Sequence, residues 1–425
     1  MKGGSYKWFL LLLLSCAFFF HQADRALFGL LTIPIQNDLG LSDVQIGWIN
    51  TVLSWTLAGM AFIAGPVGDR FSRKWIITCS LLAWSLMTFM MGFVGDWRIF
   101  GLTIPAFFVV MFFRSIATGV GESFYGPCYP PLIAAYHRET RSIALSIHQG
   151  ALYFGLMTSG VITAWALDFL GSWRHVFMVF GGAGFLLGLF FVFALRDTPV
   201  PAAQAPRPGA SSDETGFLSG MKFFFRTPTA ICAMAGFVAI VFVNNAYLFW
   251  APKYMSIKFG TSVGAAATQT MLWHHLFAFA AIIAGGILTD RMVRSMPRFR
   301  IGFQVVAMLC GAPCLVAIGF IPSAAAMLVM TAAYGVFRGF FEVNTHATLF
   351  DVIPSRYRST SVGIFTVVAF LFGGLSGVVM GALSQKYGVH GFEIGFAIMG
   401  GAYVVGALLM LLGFFFTFYR DRVVE

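Results

Sequence analysis

Twelve stretches of mainly apolar sequence, each long enough to cross a membrane, recur along this chain. A helix needs about 20 such residues to traverse roughly 30 Å of hydrocarbon. Inside hydrocarbon only helices and closed barrels satisfy their own backbone groups. The stretches lie near 8–36, 44–68, 75–95, 100–135, 141–168, 173–195, 228–256, 264–289, 301–321, 324–352, 359–385 and 391–419. They are continuous and do not alternate with period two, which argues against a barrel. The expected fold class is an all-α integral membrane protein with twelve transmembrane helices. A charged fraction of 10% agrees, since a soluble domain carries about 25%.

Lys2 and Lys7 precede WFLLLLLSCAFFF in the manner of a signal peptide. Hydrophobicity resumes after the HQADR interruption, however, and no A-x-A-like cleavage site follows, so the segment is read as the first span. A net charge of +10 taken alone suits a nucleic-acid binder, but its distribution points to topology. With both termini inside, nineteen Lys and Arg fall in cytoplasmic segments, whereas Arg98, Arg174, Lys253, Lys258 and Lys386 fall outside. That is the positive-inside pattern. The six cysteines all sit in apolar segments, where they act as small hydrophobes, and no disulfide framework is implied.

One segment breaks the apolar pattern for long enough to be a linker: DTPVPAAQAPRPGASSDETG, residues 197–216. Its Pro, Ser and charge cannot bury enough surface to order it. The expected organisation is an N-terminal six-helix bundle over 1–196, a cytoplasmic linker over 197–222 and a C-terminal six-helix bundle over 223–425. The halves echo each other. GPVGDR at Gly65 to Arg70 returns 221 residues later at Gly286 to Arg291, and Arg141-Ser142 returns 217 residues later as Arg358-Ser359. Parallel repeats of this kind are a known transporter plan.

GPVGDRFSRK, Gly65 to Lys74, resembles the loop signature G-x-L-a-D-r-x-G-R-k of the major facilitator superfamily, with Ser72 in place of the second glycine. The resemblance implies two pseudo-symmetric six-helix bundles and a gating role for Gly65, Asp69, Arg70 and Arg73, for Asp290 and Arg291 in the repeat, and for Arg141 and Arg358. Asp69, expected just beyond a helix end, is placed to latch a neighbouring helix terminus. A finer resemblance rests on GVGESFYGPCYPPLI, Gly119 to Ile133, then on Arg141 with SIHQGALYFG, on Asp24-Arg25 and on FWAPKY at Phe249 to Tyr254. These segments are similar to Spinster-like transporters and to the related organic anion:cation symporters. Arg114 departs from that pattern: it stands one residue farther from Glu122 than the family spacing, a rotation of about 100°.

Six ionisable residues other than histidine lie deep in spans: Asp24, Arg25, Arg114, Glu122, Arg338 and Glu342. Three are positive and three negative, as expected if they pair or share a watery cavity. His21 stands three and four residues before Asp24 and Arg25, and Arg338, Glu342 and His346 are expected to form one helical row. Candidate proton-coupling residues are therefore Asp24, Glu122, Glu342, His21 and His346. Desolvation favours the neutral form of a carboxylate, which lets such an acid take up a proton. For Asp24 and Glu122 the Spinster-like resemblance implies the same role. Candidate substrate-binding residues are Arg25, Arg114, Arg338, His148, Gln149, Tyr153, Asn244, Asn245, Tyr247, Trp250, His274 and His275.

The expected function is secondary active transport of a small organic anion, sugar acid-like or amphiphilic, by alternating access with proton coupling. The alternatives are a lysolipid-, sphingolipid-like or drug exporter, or a non-transporting membrane sensor. There is no Walker A motif and no HExxH spacing, so ATP drive and a metal site are not expected, and an enzyme is not expected either. No cofactor and no nucleic-acid partner are expected, and the chain is read as a monomer in the cell (inner) membrane with both termini cytoplasmic. Replacing Asp69 with Asn is expected to bias the protein toward its inward-open form without impairing folding. Cysteine accessibility from the two membrane sides reads this, and an unchanged pattern counts against the latch.

Overall fold

The computed structural model describes residues 3–137, 139–196 and 217–423. The segment 197–216, expected to be most of the linker, lies outside the described residues. Among the described residues, twelve helices are long and apolar enough to span a membrane. They are numbered here as spans 1 (Tyr6–Leu30), 2 (Asp43–Gly68), 3 (Arg73–Phe93), 4 (Ala106–Tyr136), 5 (Ile143–Leu170), 6 (Trp173–Ala194), 7 (Pro228–Phe259), 8 (Val263–Met292), 9 (Phe299–Phe320), 10 (Ala324–Phe350), 11 (Ser355–Tyr387) and 12 (Val389–Asp421).

Local chemistry sets the boundaries and corrects some expectations. Span 4 starts at Ala106 and not near 100, because Trp97–Ile99 and Leu102–Ile104 form a two-stranded hairpin. Its turn residues Phe100 and Gly101 have φ of 50° and 83°, the left-handed pair that matches strand twist. Span 2 opens with a capping box: Ser42 Oγ accepts from the Gln45 backbone N–H, and Gln45 Oε1 accepts from that of Ser42. Phe217–Arg226 is a helix, so the part of the expected linker from Phe217 to Lys222 is helical.

The chain divides into two compact units. The first comprises Met1–Gln204 together with Leu248–Ser256 and Gly260–Leu272, and the second holds the remainder. In the first unit, span 1 packs along span 5 and span 3 along span 6. Backbones approach closely at glycine: a methyl added to Gly155 would lie 2.8 Å from the Phe19 carbonyl oxygen, and one on Gly121 would lie 2.9 Å from the Trp84 nitrogen. Leu10, Leu14, Phe18, Leu81, Trp84 and Tyr125 belong to one buried core. The stretch Leu248–Ser256 of span 7 also belongs to this unit. Lys253 was counted with the outer-loop charges, but it is 7% exposed and pairs with Asp43. Its Nζ also donates to Gln36 Oε1 at 2.5 Å, and Gln36 Nε2 donates to Asp43 at 2.7 Å.

In the second unit, span 9 packs against spans 10 and 12. Gly335 and Gly339 bring span 10 onto span 8, where an added methyl would overlap the carbonyl oxygens of His274 and Ala278. Gly373, Gly377 and Gly381 are buried along span 11. Span 10 is not one continuous helix: it breaks at Val343–Asn344, where Asn344 Nδ2 donates to Thr289 Oγ1 at 3.2 Å.

Gly335→Ala is expected to lower the thermal unfolding midpoint in detergent, with an overpacking cost of about 1–3 kcal/mol. Gly401→Ala, whose added methyl meets nothing within 4 Å, is expected to leave it unchanged or raise it slightly. Equal behaviour of the two variants would mean that the contact between spans 8 and 10 tolerates a methyl.

Candidate functional site

Span 1 carries His21, Asp24 and Arg25 on successive turns, and span 4 brings Glu122 to them. Glu122 Oε2 lies 3.6 Å from His21 Nε2 and 3.6 Å from Arg25 Nε. Its side chain is wholly buried, and neither carboxylate oxygen has a hydrogen-bond partner among the described residues. The Gln22 amide nitrogen stands 2.9 Å from His21 Nδ1. With that amide donating, Nδ1 accepts, and the neutral ring carries its proton on Nε2, toward Glu122. Trp84 meets the His21 ring edge-on at 5.1 Å, and Phe18 and Tyr125 stack on it near 6 Å. These rings keep water from the acid, which strengthens every charge interaction there.

Arg114 reaches the same centre through an irregular turn. Residues Met111–Ala117 form a π-helix, whose wider turn absorbs one extra residue in an otherwise α-helical span. Thr118 Oγ1 donates back to the Phe113 carbonyl at 2.7 Å. One Arg114 guanidinium nitrogen donates to the Arg25 carbonyl at 2.9 Å, and the group lies 5.9 Å from the Phe28 ring centroid. The extra residue between Arg114 and Glu122 thus does not rotate the arginine away. Arg114 is 3% exposed, whereas the Arg25 side chain is 29% exposed. Of the two cations, Arg25 is the one a solute can reach.

Asp24 faces a different neighbour. Thr88 Oγ1 of span 3 donates to its Oδ2 at 2.9 Å. Nothing in the sequence marked Thr88; it is one of many hydroxyls in the spans, and only the packing of span 1 on span 3 selects it.

Span 5 contributes less than expected. His148 is fully buried, with its ring between Phe18 at 4.4 Å and Tyr129 at 4.0 Å. Its Nε2 lies 3.1 Å from the Tyr125 hydroxyl, which donates its own proton to the Leu14 carbonyl at 2.7 Å. His148 Nε2–H is therefore the donor of that pair, and the residue is a core histidine, not a lining one. Gln149 is exposed and Tyr153 buried. Trp250 is fully buried in span 7, its ring centroid 5.4 Å from Lys253 Nζ.

The second unit holds its own charged centre. Arg338 forms an ion pair with Glu342 at 2.9 Å and lies 3.2 Å from His274 Nε2. Arginine can only donate, so His274 accepts there and carries its proton on Nδ1. Tyr247 and Tyr334 pack on the His274 ring at 4.6 and 4.9 Å, and the Tyr403 hydroxyl donates to that of Tyr334 at 3.4 Å. Tyr334 and Tyr403 escaped sequence reasoning because buried tyrosines are common in spans. His275 is fully buried beside His274, and Asn244 and Asn245 are half-buried. The expected row of Arg338, Glu342 and His346 stops at Glu342, because the helix breaks at Val343–Asn344. His346 lies beyond the break, its ring 6.4 Å from Phe237 and 6.3 Å from Phe350.

Of the gating candidates, Asp69 is inside the helix Asp43–Arg70 and not beyond its end. The helix closes only at Phe71, which is extended, before Ser72 caps the next helix by accepting from the Trp75 N–H. The Asp69 side chain lies outside the described set. Arg70, Arg141, Asp290 and Arg291 are exposed, Gly65 is half-buried and Arg73 is buried. Arg358 donates to the carbonyls of Ile353 and Phe350, each at 3.3 Å.

Comparison with known proteins places this arrangement. The chain is 24% identical over 424 residues to the "Probable galactarate/D-glucarate transporter GarP" of Escherichia coli K12, covering 94% of this chain and 92% of that one. It is 26% identical over 374 residues to "Protein spinster homolog 1" of Xenopus tropicalis, covering 83% and 68%. A bacterial homolog of the human lysosomal transporter Spinster shares the fold with a TM-score of 0.80 at 20% identity, covering 99% of each chain. A D-xylose-proton symporter does so with a TM-score of 0.75 at 16% identity, covering 95% and 97%. The family model described as Major Facilitator Superfamily matches residues 13–377, most of the chain. The twelve-helix protein described here belongs to the Major Facilitator Superfamily.

Proposed function

We propose that this transporter moves a small organic anion of the sugar-acid class by alternating access, with protons as the coupling ion. The observation that carries the reading is the buried Glu122, which has no hydrogen bond among the described residues and stands beside the partly exposed Arg25. With both acids ionised, Asp24 and Glu122 balance Arg25 and Arg114, so the centre is neutral. An anion arriving alone leaves it one charge negative; an anion arriving with a proton leaves it neutral. In a low-dielectric site that difference is large, so anion and proton favour each other's binding. A proton on Glu122 also releases Arg25 to hold the substrate's acidic group. Alternating access changes the water around the acids, and thereby their hold on the proton.

The sugar-acid class draws support from the name of the E. coli relative. The excess of Lys and Arg on alternate loops supports a cell-membrane protein with both termini cytoplasmic. It works as a monomer, with no cofactor and no nucleic acid, and performs no chemistry on its cargo. In the second unit, Arg338 is read as an anion contact of its own and Glu342 as the reserve protonation site.

Arg25→Gln is expected to weaken anion binding by about tenfold or more, since a charge-assisted contact is worth about 1.5–3 kcal/mol, while shifting thermal stability little. Binding to a panel of sugar acids, lysolipids and neutral sugars measures this. A best ligand that is neutral or cationic, bound equally by the variant, overturns the anion class. Asp24→Asn and Glu122→Gln each imitate a permanently protonated acid, so exchange at equal pH is expected to survive while accumulation driven by a pH gradient is lost. Uptake into liposomes with and without the gradient decides. If both variants still accumulate substrate, these acids only hold helices together.

A further inference from the structure

Asp24 is bonded to span 3 and not to the arginine–glutamate pair, and there it borders a separate small cavity. Ser85 and Thr88 of span 3 and Gly181 and Gly184 of span 6 line that cavity with it; Phe20, Trp84 and Phe180 complete its walls. About 10 Å³ of it is open to the centre of a water-sized sphere, which is room for one such particle.

The oxygens around this space are unusual for an apolar bundle. Ser85 is 2% exposed, and its Oγ has no hydrogen-bond partner among the described residues. It points at span 6, where a methyl added to Gly184 would overlap it. Thr88 Oγ1 donates to Asp24 Oδ2, a bond that leaves the hydroxyl's own acceptor capacity unused. The donor set is all oxygen, with one formal negative charge. Soft metals need sulfur or imidazole, and divalent cations of the calcium type need six or more oxygens. One carboxylate, two hydroxyls and room for one particle suit a small monovalent cation.

We propose that Asp24, Thr88 and Ser85 form a binding site for one sodium ion between spans 1, 3 and 6. The charged and titratable groups around Asp24 are His21 and Arg25 on its own helix and Arg114 and Glu122 from span 4; spans 3 and 6 bring none to the cavity. Arg25 lies beside Glu122, and Arg114 donates to the Arg25 carbonyl. Sodium makes the neutral centre one charge positive, and an anion restores neutrality. Sodium and the proton then compete for one carboxylate, and either can accompany the anion. This deepens the transport reading and rests on it for that consequence, while the ion site itself is testable without substrate.

The test is thermal unfolding of the purified protein in detergent, titrated with sodium chloride at constant ionic strength against potassium chloride and choline chloride, at two pH values. Sodium alone is expected to raise the midpoint saturably, with a half-saturating concentration that increases as pH falls. In Thr88→Val and Ser85→Ala that concentration is expected to rise about tenfold or more, as when a metal ligand loses its support; Thr88→Ser restores it. Gly184→Ala keeps every oxygen but crowds Ser85, and is expected to lose the sodium response. Should a variant fold too poorly to read, equilibrium binding of radioactive sodium to the unaltered protein decides. Equal response to the three salts, absent sodium binding, or a sodium response unchanged in Ser85→Ala, Thr88→Val and Gly184→Ala overturns the site. If the sodium response is absent while pH-driven uptake persists, the cavity takes water only and the transport reading stands.

Discussion

A carboxylate buried in an apolar bundle, with no hydrogen bond among the described residues, is the feature around which the first unit's charged centre is arranged. An isolated charge in such a place costs several kcal/mol even after relaxation. Glu122 has two cations and a histidine near it but none in close contact: Arg25 and His21 stop 3.6 Å away. Trp84, Phe18 and Tyr125 surround the His21 ring beside it.

The second unit handles the same ingredients differently. Arg338 and Glu342 make a direct ion pair one helical turn apart, and Glu342 is one-third exposed. A pair formed within one helix survives movement of neighbouring helices, because both partners travel together. The first centre spans two helices and so is sensitive to their separation, which is the property a coupling site needs. Each half carries a buried or half-buried acid in its charged centre, and the packing gives the two acids different surroundings.

Much of the fold was legible in the sequence because the membrane demands it. Long apolar runs admit few alternatives, and all twelve spans emerge within a few residues of their expected positions except where local backbone chemistry intervenes. Phe100 and Gly101 turn a hairpin that hydropathy alone assigns to span 4, and Asn344 marks a break that a helical wheel cannot see. The charges within the spans were visible because their cost makes them conspicuous: Asp24, Arg25 and Glu122 in the first unit and Arg338 in the second were singled out by that rule. What stayed hidden depends on which faces meet. Thr88 and Ser85 are ordinary hydroxyls until span 1 and span 6 close over them, and His148 resembles a cavity residue until its ring is seen between Phe18 and Tyr129.

The π-helix at Met111–Ala117 bears on how this chain is compared with others. A relative with one residue fewer in span 4 can present its arginine at the same point through an unbroken α-helix. Column-by-column alignment then puts the gap wherever residue similarity is lowest, and every position between that gap and the π turn is paired with the wrong counterpart. Superposition puts the gap inside the turn itself, and Arg114 and Glu122 keep their partners on both sides of it. For this span, homology between positions has to be read from backbone hydrogen bonding, and a mutation carried over from a relative by sequence alone would land on the wrong face of the helix.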